Sequence, residues 1–136
     1  MLKEKLVELR LMREAAKVQN RRMRGPRLRK ADRDAILAKT AGRCHICGGD
    51  IEGAWQADHV MAHSAGGGSM TDNYLAAHRS CNNYRWDYLP AEFEFILKLG
   101  VLARTQIENG TKLGEKIEEK FEKVEAARMA RRKSAK

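Results

Sequence analysis

The chain has 136 residues, enough for one small domain with helical extensions, and its 33% charged and 6% aromatic residues argue against a large hydrophobic core. Lys and Arg number 27 against 18 Asp and Glu, and this net charge of +9 is typical of proteins that bind nucleic acid or an anionic membrane surface. No apolar run approaches the length of a membrane span, and the sequence opens on a charged helical pattern instead of a secretory signal. An integral membrane protein is therefore excluded, and a cytoplasmic location is expected.

The positive charge is unevenly distributed. Residues 1–43 hold 14 Lys and Arg against 5 Asp and Glu, residues 44–90 hold 2 against 5, and residues 91–136 hold 11 against 8. All histidines and all three cysteines lie in the acidic middle segment. Because the cysteine count is odd and no export signal is present, reduced thiols that bind a metal are favoured over disulfides.

The first predicted element is an amphipathic helix over residues 2–20, where apolar side chains recur every three or four positions. A basic arm follows at residues 21–30, and Gly25-Pro26 interrupts any helix there. Such a charge run is usually a solvated surface, but contact with phosphate is an equally supported interpretation here. The residues proposed for that contact are Arg21, Arg22, Arg24, Arg27, Arg29 and Lys30.

A short helix is predicted over residues 33–40, and the glycine-rich residues 44–88 predict a knuckle, a strand, a loop, a second strand and a short helix. Pro90 opens the next predicted helix, which Gly100 is expected to end or bend. The Asn109-Gly110 turn precedes a last helix with a frayed end. The predicted parts are a basic helix and arm at 1–30, a central domain at 31–90 and a helical extension at 91–136.

Two pairs of potential metal ligands bracket the middle segment. Cys44 and Cys47 form a C-x-x-C pair, and after thirty further residues His78 and Cys81 form an H-x-x-C pair. The two-residue gap lets two side chains from one tight turn reach a single ion at about 2.0–2.3 Å, so the two pairs together favour a structural zinc site over ordinary buried cysteines. A segment this short also needs such a staple. His45, inside the first pair, is the weaker candidate for the fourth ligand.

A second group of polar residues lies between and just after these pairs. Its members are Asp58-His59, Gly66-Gly67, Asp72-Asn73, Asn82 and Arg85. In this order, and between paired zinc ligands, they resemble the HNH endonucleases, the ββα-metal or His-Me finger group, over about residues 42 to 88. The resemblance implies an α+β fold: a small zinc-stapled ββα-metal core with flanking α-helices at both ends.

The resemblance also implies roles for single residues. Asp58 and Asn82 match the positions that bind the catalytic Mg²⁺ or Mn²⁺. His59 matches the general base, and Asn73 matches the asparagine that orients this histidine and pins the loop. Arg85 matches a frequent basic position, which implies a possible contact with phosphate.

The chemistry of these side chains agrees with that assignment. A neutral imidazole can take a proton from water near neutral pH, and a carboxylate with an amide oxygen can hold a hard cation. Adjacent residues on an extended strand point to opposite faces, so a strand end or twist has to bring Asp58 and His59 into one site. His63 departs from the family pattern, and an extra metal ligand, a phosphate contact and an exposed loop residue all stay open for it.

Three functions follow from these observations. The favoured one is a metal-dependent endonuclease that hydrolyses double-stranded DNA without evident sequence specificity and nicks one strand per active site. The second is a non-catalytic zinc module that binds nucleic acid. The third is an interaction protein whose terminal helices dock to a larger complex or to a second copy, and a dimer would also allow double-strand cleavage.

Overall fold

The computed structural model describes residues 1–19, 27–61 and 71–134. Within these ranges it contains five α-helices and a two-stranded antiparallel sheet, which confirms the predicted α+β class. The elements in chain order are α1 (Leu2–Gln19), α2 (Lys30–Lys39), β1 (Gln56–His59), β2 (Tyr74–Ala77), α3 (Arg79–Arg85), α4 (Pro90–Glu108) and α5 (Lys112–Ser134). By its internal contacts the chain divides into two compact units, residues 1–93 and residues 94–136.

The sheet supplies the centre of the first unit. β1 and β2 pair so that Asp58 lies opposite Leu75 and His59 lies opposite Tyr74. α2 packs against β2, and α3, which follows β2 directly, packs against β1. The strand, strand and helix therefore follow in the order that a ββα core requires.

The hydrophobic core is small, as the composition predicts. Among the described residues, the buried apolar side chains are Leu9, Ile36, Cys44, Tyr74, Ala76 and Ala77. Most of them are small or lie at the edge of a short strand, so little apolar area leaves water on folding. A cross-link within this unit would therefore contribute a large share of its stability.

A buried ion pair attaches α1 to the beginning of α4. The Arg13 Nε group donates to both carboxylate oxygens of Glu92, at 3.2 and 3.0 Å, and both side chains are more than 90% buried. Glu92 also accepts the Leu89 backbone N–H at 2.9 Å, which satisfies a donor at the start of α4. The Arg13 guanidinium lies over the rings of Trp86 and Tyr88, 4.6 and 5.2 Å from their centroids.

Replacing Glu92 with alanine is expected to destabilise the chain by about 3–5 kcal/mol, because Arg13 would be left as an uncompensated buried charge. Urea unfolding followed by tryptophan fluorescence measures this change. The matched control is Glu14→Ala, which removes an exposed carboxylate on α1, paired with Arg10 one turn away, and should leave the unfolding midpoint almost unchanged. Equal midpoints for the two variants would contradict the structural importance of the buried pair.

The second unit is a helical hairpin. α4 continues through Gly100 to Glu108, so the end predicted at this glycine is wrong. A glycine costs a helix only about 1 kcal/mol relative to alanine, which the remaining turns of a 19-residue helix can offset. The predicted turn at Asn109-Gly110 is confirmed, with Gly110 at a φ of +59°, and the Thr111 hydroxyl then caps α5 by accepting the Gly114 amide at 3.0 Å.

Among the described residues, no helix has the length and apolar composition needed to cross a membrane.

Candidate metal centre and catalytic site

The predicted metal ligands converge on one point. One ligand atom each from Cys44, Cys47, His78 and Cys81 lies within 4.8 Å of every other, and this cluster could hold a metal ion. The His78 Nδ1 atom is 3.3 Å from the Cys47 sulfur and 3.9 Å from the Cys81 sulfur. Tetrahedral zinc with Zn–S near 2.3 Å and Zn–N near 2.0–2.1 Å would place nitrogen and sulfur about 3.5 Å apart. The donor set and its spacing therefore fit zinc.

The local backbone prepares these ligands. The Cys44 N–H donates to the Gly49 carbonyl at 2.9 Å and the Gly48 N–H donates to the Cys44 carbonyl at 2.8 Å, which closes a tight turn around the first pair. Gly48 has a φ of +75°, a conformation that glycine adopts without strain. The His78 Nε2–H donates to the Asp50 carbonyl at 3.0 Å. A carbonyl only accepts, so Nε2 carries a proton, and Nδ1, which faces the sulfurs, is the atom that could bind a metal.

Two thiols of this cluster have pKa values shifted in opposite directions. Burial acts to raise the pKa of Cys44, but N–H groups of Cys47, His78 and Ile46 outweigh it and lower that pKa to about 6. Burial, together with the neighbouring sulfurs, raises the pKa of Cys81 to about 11. The Cys44 thiolate therefore forms readily, while a cation between the sulfurs would favour ionisation of Cys81 as well. We call Cys44, Cys47, His78 and Cys81 the clamp.

Asp58, the predicted ligand of the catalytic cation, lies on β1 with only 5% of its surface exposed. Its Oδ2 atom is 2.7 Å from the Nε2 atom of His45, and its Oδ1 atom is 3.4 Å from Arg85. The Arg85 guanidinium also donates to the carbonyls of His59 and Val60, at 3.0 and 2.9 Å. Arg85 thus holds the end of β1 in addition to facing the carboxylate.

His59 lies at the last position of β1, directly opposite Tyr74 on β2. The two rings are in contact, with centroids 4.4 Å apart and planes inclined by 48°. Asn73 fixes the backbone that leaves β1: its side-chain oxygen accepts the Met61 N–H at 2.9 Å, and its side-chain amide donates to the Met61 carbonyl at 3.1 Å. The Val60 N–H donates to the Asn73 carbonyl at 2.8 Å. These bonds join Asn73 to the backbone that directly follows β1, and its role beside His59 stays a prediction.

Asn82 lies on α3 and reaches β1 on the same side as Asp58. Its side-chain amide donates to the Gln56 side-chain oxygen at 2.8 Å, and Gln56 shares a face of β1 with Asp58 because the two are two residues apart. Because the side-chain NH₂ of Asn82 is bonded to Gln56, its side-chain oxygen is the atom that could bind a cation.

Asp58, His59 and Asn82 all line one cavity of about 1350 Å³ in the first unit. Asp58 and His59, adjacent on β1, therefore both border the same space. Basic residues border it too, and we call them the basic wall: Lys17, Arg27, Arg29, Lys30, Arg33 and Arg85. Three of the predicted phosphate contacts, Arg21, Arg22 and Arg24, lie outside the described residues, as does His63.

Several site residues were not identified from the sequence. His45 was considered only as a zinc ligand, whereas its side chain contacts Asp58. Lys17 and Arg33 belong to helices outside the ligand pattern, and Arg33 lies 4.1 Å over the Trp55 ring at the cavity wall. A basic residue on a helix gives no sequence signal of which cavity it will line, so only the fold could identify these two.

Comparison with known families finds that residues 44–85 match the HNH endonuclease model. The matched segment begins at the first clamp cysteine and ends at Arg85, so it contains both strands, α3 and all four clamp residues. Comparison with curated proteins finds no match.

Proposed function

We propose that the segment matching the HNH family is a metal-dependent endonuclease that hydrolyses DNA phosphodiester bonds. In this proposal His59 is the general base, and Asp58 and Asn82 hold a catalytic Mg²⁺ or Mn²⁺. The observation that carries it is that these three residues line one cavity in a unit that also holds a clamp suited to structural zinc.

The donor atoms of this pair fit a hard divalent cation. Asp58 offers a carboxylate, and Asn82 offers an amide oxygen once its N–H group is bonded to Gln56. Oxygen ligands of this kind suit Mg²⁺ and Mn²⁺, and the clamp, with three sulfurs and one imidazole, suits zinc. Two chemically distinct sites in one small unit are thus consistent with the residues present.

Several side chains of the site would take part in hydrolysis. His59 takes a proton from the attacking water; the Tyr74 ring packs against its imidazole, and Asn73 holds the backbone of Met61 just beyond it. A divalent cation, when bound, would supply charge stabilisation at the phosphate. Asp58 and Asn82 line the same cavity, so both could contribute to binding one phosphate through that cation.

The basic wall would hold the DNA backbone over these residues. Arg27, Lys30 and Arg33 line the cavity, and Arg29, also on this wall, is 82% exposed while paired with Asp32 at 3.0 Å. An exposed pair of this kind exchanges readily for a phosphate contact. None of these contacts selects a base sequence, in keeping with non-specific binding to the duplex.

Binding of duplex DNA is expected to weaken steeply with salt, because each Lys or Arg that neutralises a phosphate releases counterions on binding. Fluorescence anisotropy at 50–200 mM salt measures the slope of log K against log salt, which falls by roughly one unit for each contact removed. Arg33→Gln and Lys30→Gln should each reduce this slope. Lys133→Gln, on exposed α5, is the control and should leave it unchanged; an equal reduction for all three would argue against the basic wall.

The test of the proposed activity is the conversion of supercoiled plasmid by the zinc-loaded full chain. We expect Mg²⁺- or Mn²⁺-dependent open circles, with linear product appearing later, since one active site cuts one strand per visit. EDTA should stop the reaction. Early linear product would indicate the homodimer that the sequence allows, and absence of any cleavage under all metal conditions would refute the endonuclease.

One observation favours the alternative of a non-catalytic zinc module that binds nucleic acid. The Arg85 guanidinium lies 3.4 Å from Asp58, so a positive charge already faces the carboxylate that would hold the cation. A module of this kind would bind DNA with the same salt dependence but would leave plasmid intact. Removing the charge with Arg85→Gln separates the two. Cleavage at a lower Mn²⁺ concentration than the parent needs supports the enzyme. A variant that binds DNA but does not cut it supports the module.

A further inference from the structure

We infer that His45 is a positioning residue for the catalytic cation: its imidazole holds the Asp58 carboxylate and connects the clamp to the hydrolytic centre. The inference rests on the proposed function, because it assigns Asp58 to a cation. It gives His45 a role outside the clamp, although the residue lies in the sequence between the clamp cysteines Cys44 and Cys47.

The contact between the two side chains is short and sheltered. His45 Nε2 lies 2.7 Å from Asp58 Oδ2, and the exposed fractions of the two side chains are 16% and 6%. A carboxylate can only accept a hydrogen bond, so the proton is on Nε2 and His45 is the donor. One carboxylate oxygen is thereby fixed in direction, which constrains the orientation of the whole planar group.

His45 is itself fixed from two sides. Its backbone N–H donates to the Ala76 carbonyl on β2 at 2.9 Å, and Ala76 pairs with Ala57, the residue before Asp58. Cys44 and Cys47 flank it within the tight turn of the clamp. The position of the imidazole therefore depends on the turn that the clamp closes and on the sheet that carries Asp58.

Two consequences follow for the cation. Hydrogen-bonded partners of ligating side chains hold them in the binding geometry, and their loss typically weakens metal affinity about 10–100-fold. Because the partner here belongs to the clamp turn, filling the clamp should strengthen the second site. The two metal sites would then be coupled through one side chain.

The experiment compares two replacements of similar size in the zinc-loaded full chain. His45→Leu keeps the buried volume but has no donor, whereas His45→Gln keeps an N–H group at about the same reach. Isothermal titration with Mn²⁺ gives the dissociation constant, and zinc content and thermal melting are measured on the same samples. Ile46→Ala is the matched control, since it alters the same turn without touching Asp58.

We expect the leucine variant to bind Mn²⁺ about 10–100-fold more weakly than the parent with one zinc retained, and the glutamine and Ile46→Ala variants to stay within a few-fold of it. Equal affinity of the leucine variant and the parent would overturn the inference while leaving the endonuclease intact. Glutamine as weak as leucine would also overturn it. Direct coordination of Mn²⁺ by His45 would also overturn the inference. Electron spin echo spectra of bound Mn²⁺ would show it as a strong coupling to an imidazole nitrogen. A parent that binds zinc but no Mn²⁺ would refute the proposed function and this inference together.

Discussion

Replacing His59 with alanine is expected to lower plasmid nicking by about 10²–10⁴-fold, the usual contribution of a general acid or base. The variant should keep its zinc, because His59 is not in the clamp. It should also keep its Mn²⁺ affinity, because Asp58 and Asn82 remain. Initial nicking rates, zinc content and Mn²⁺ titration on the same samples measure the three quantities.

The loss of the His59 ring also removes its contact with Tyr74, so stability has to be separated from chemistry. Val60→Ala is the matched control: Val60 is the next residue, is 48% exposed, and continues the same hydrogen-bonded chain end. Nicking by this variant should be close to that of the parent. Loss of zinc from His59→Ala would mean that the roles assigned to the histidines are exchanged, and full nicking would remove His59 from the mechanism.

The clamp was the most predictable part of the site. Cys44 and Cys47 belong to one turn, and His78 and Cys81 belong to the first turn of one helix, so local spacing alone brings each pair together. The long-range step, joining the two pairs, follows from the requirement that one ion take four ligands. The order strand, strand, helix was predictable on other grounds: the glycine-rich residues 44–88 lack long helical periodicity, and the family resemblance implies a ββα core.

The contacts around Asp58 were less predictable because they depend on packing between elements distant in the chain. His45 is 13 residues away from Asp58, and Arg85 is 27 residues away. The family pattern suggested a phosphate contact for Arg85, whereas here its guanidinium bonds to Asp58 and to two backbone carbonyls at the end of β1. Sequence patterns give the residue type at a position, but the partner of a long flexible side chain depends on the tertiary structure.

The helix boundaries were also hard to predict from local sequence signals. α2 begins at Lys30, before the predicted start at Arg33. The Asp32 carboxylate accepts the Arg29 backbone N–H at 3.2 Å and a guanidinium N–H of the same residue at 3.0 Å, a pairing that the preference for Ser, Thr, Asp or Asn before a helix does not reveal. Gly100 was expected to end or bend a helix, and α4 continues for eight more residues beyond it. A helix propensity difference of about 1 kcal/mol at one residue is easily outweighed by the other residues of the helix.

Replacing Cys47 with serine is expected to abolish stoichiometric zinc binding and the cooperative unfolding of the first unit. Structural zinc contributes about 10–16 kcal/mol in small zinc-dependent domains, well above the total stability of a typical domain. The small core described above cannot replace it, and serine is a poor ligand in a site built from sulfur. Removing zinc from the parent with a chelator should have the same effect.

Both tryptophans, Trp55 and Trp86, lie in the first unit, so their fluorescence during heating reports on this unit alone. The matched control is Ser80→Ala, next to the clamp residue Cys81 and exposed, which should melt like the parent and retain one zinc. The serine variant should instead show a broad, non-cooperative change at all temperatures. An unchanged melting curve would show that the clamp is not needed for folding. The position of His45 would then have to depend on its bond to Ala76 alone, so the coupling between the two metal sites would lose its physical basis.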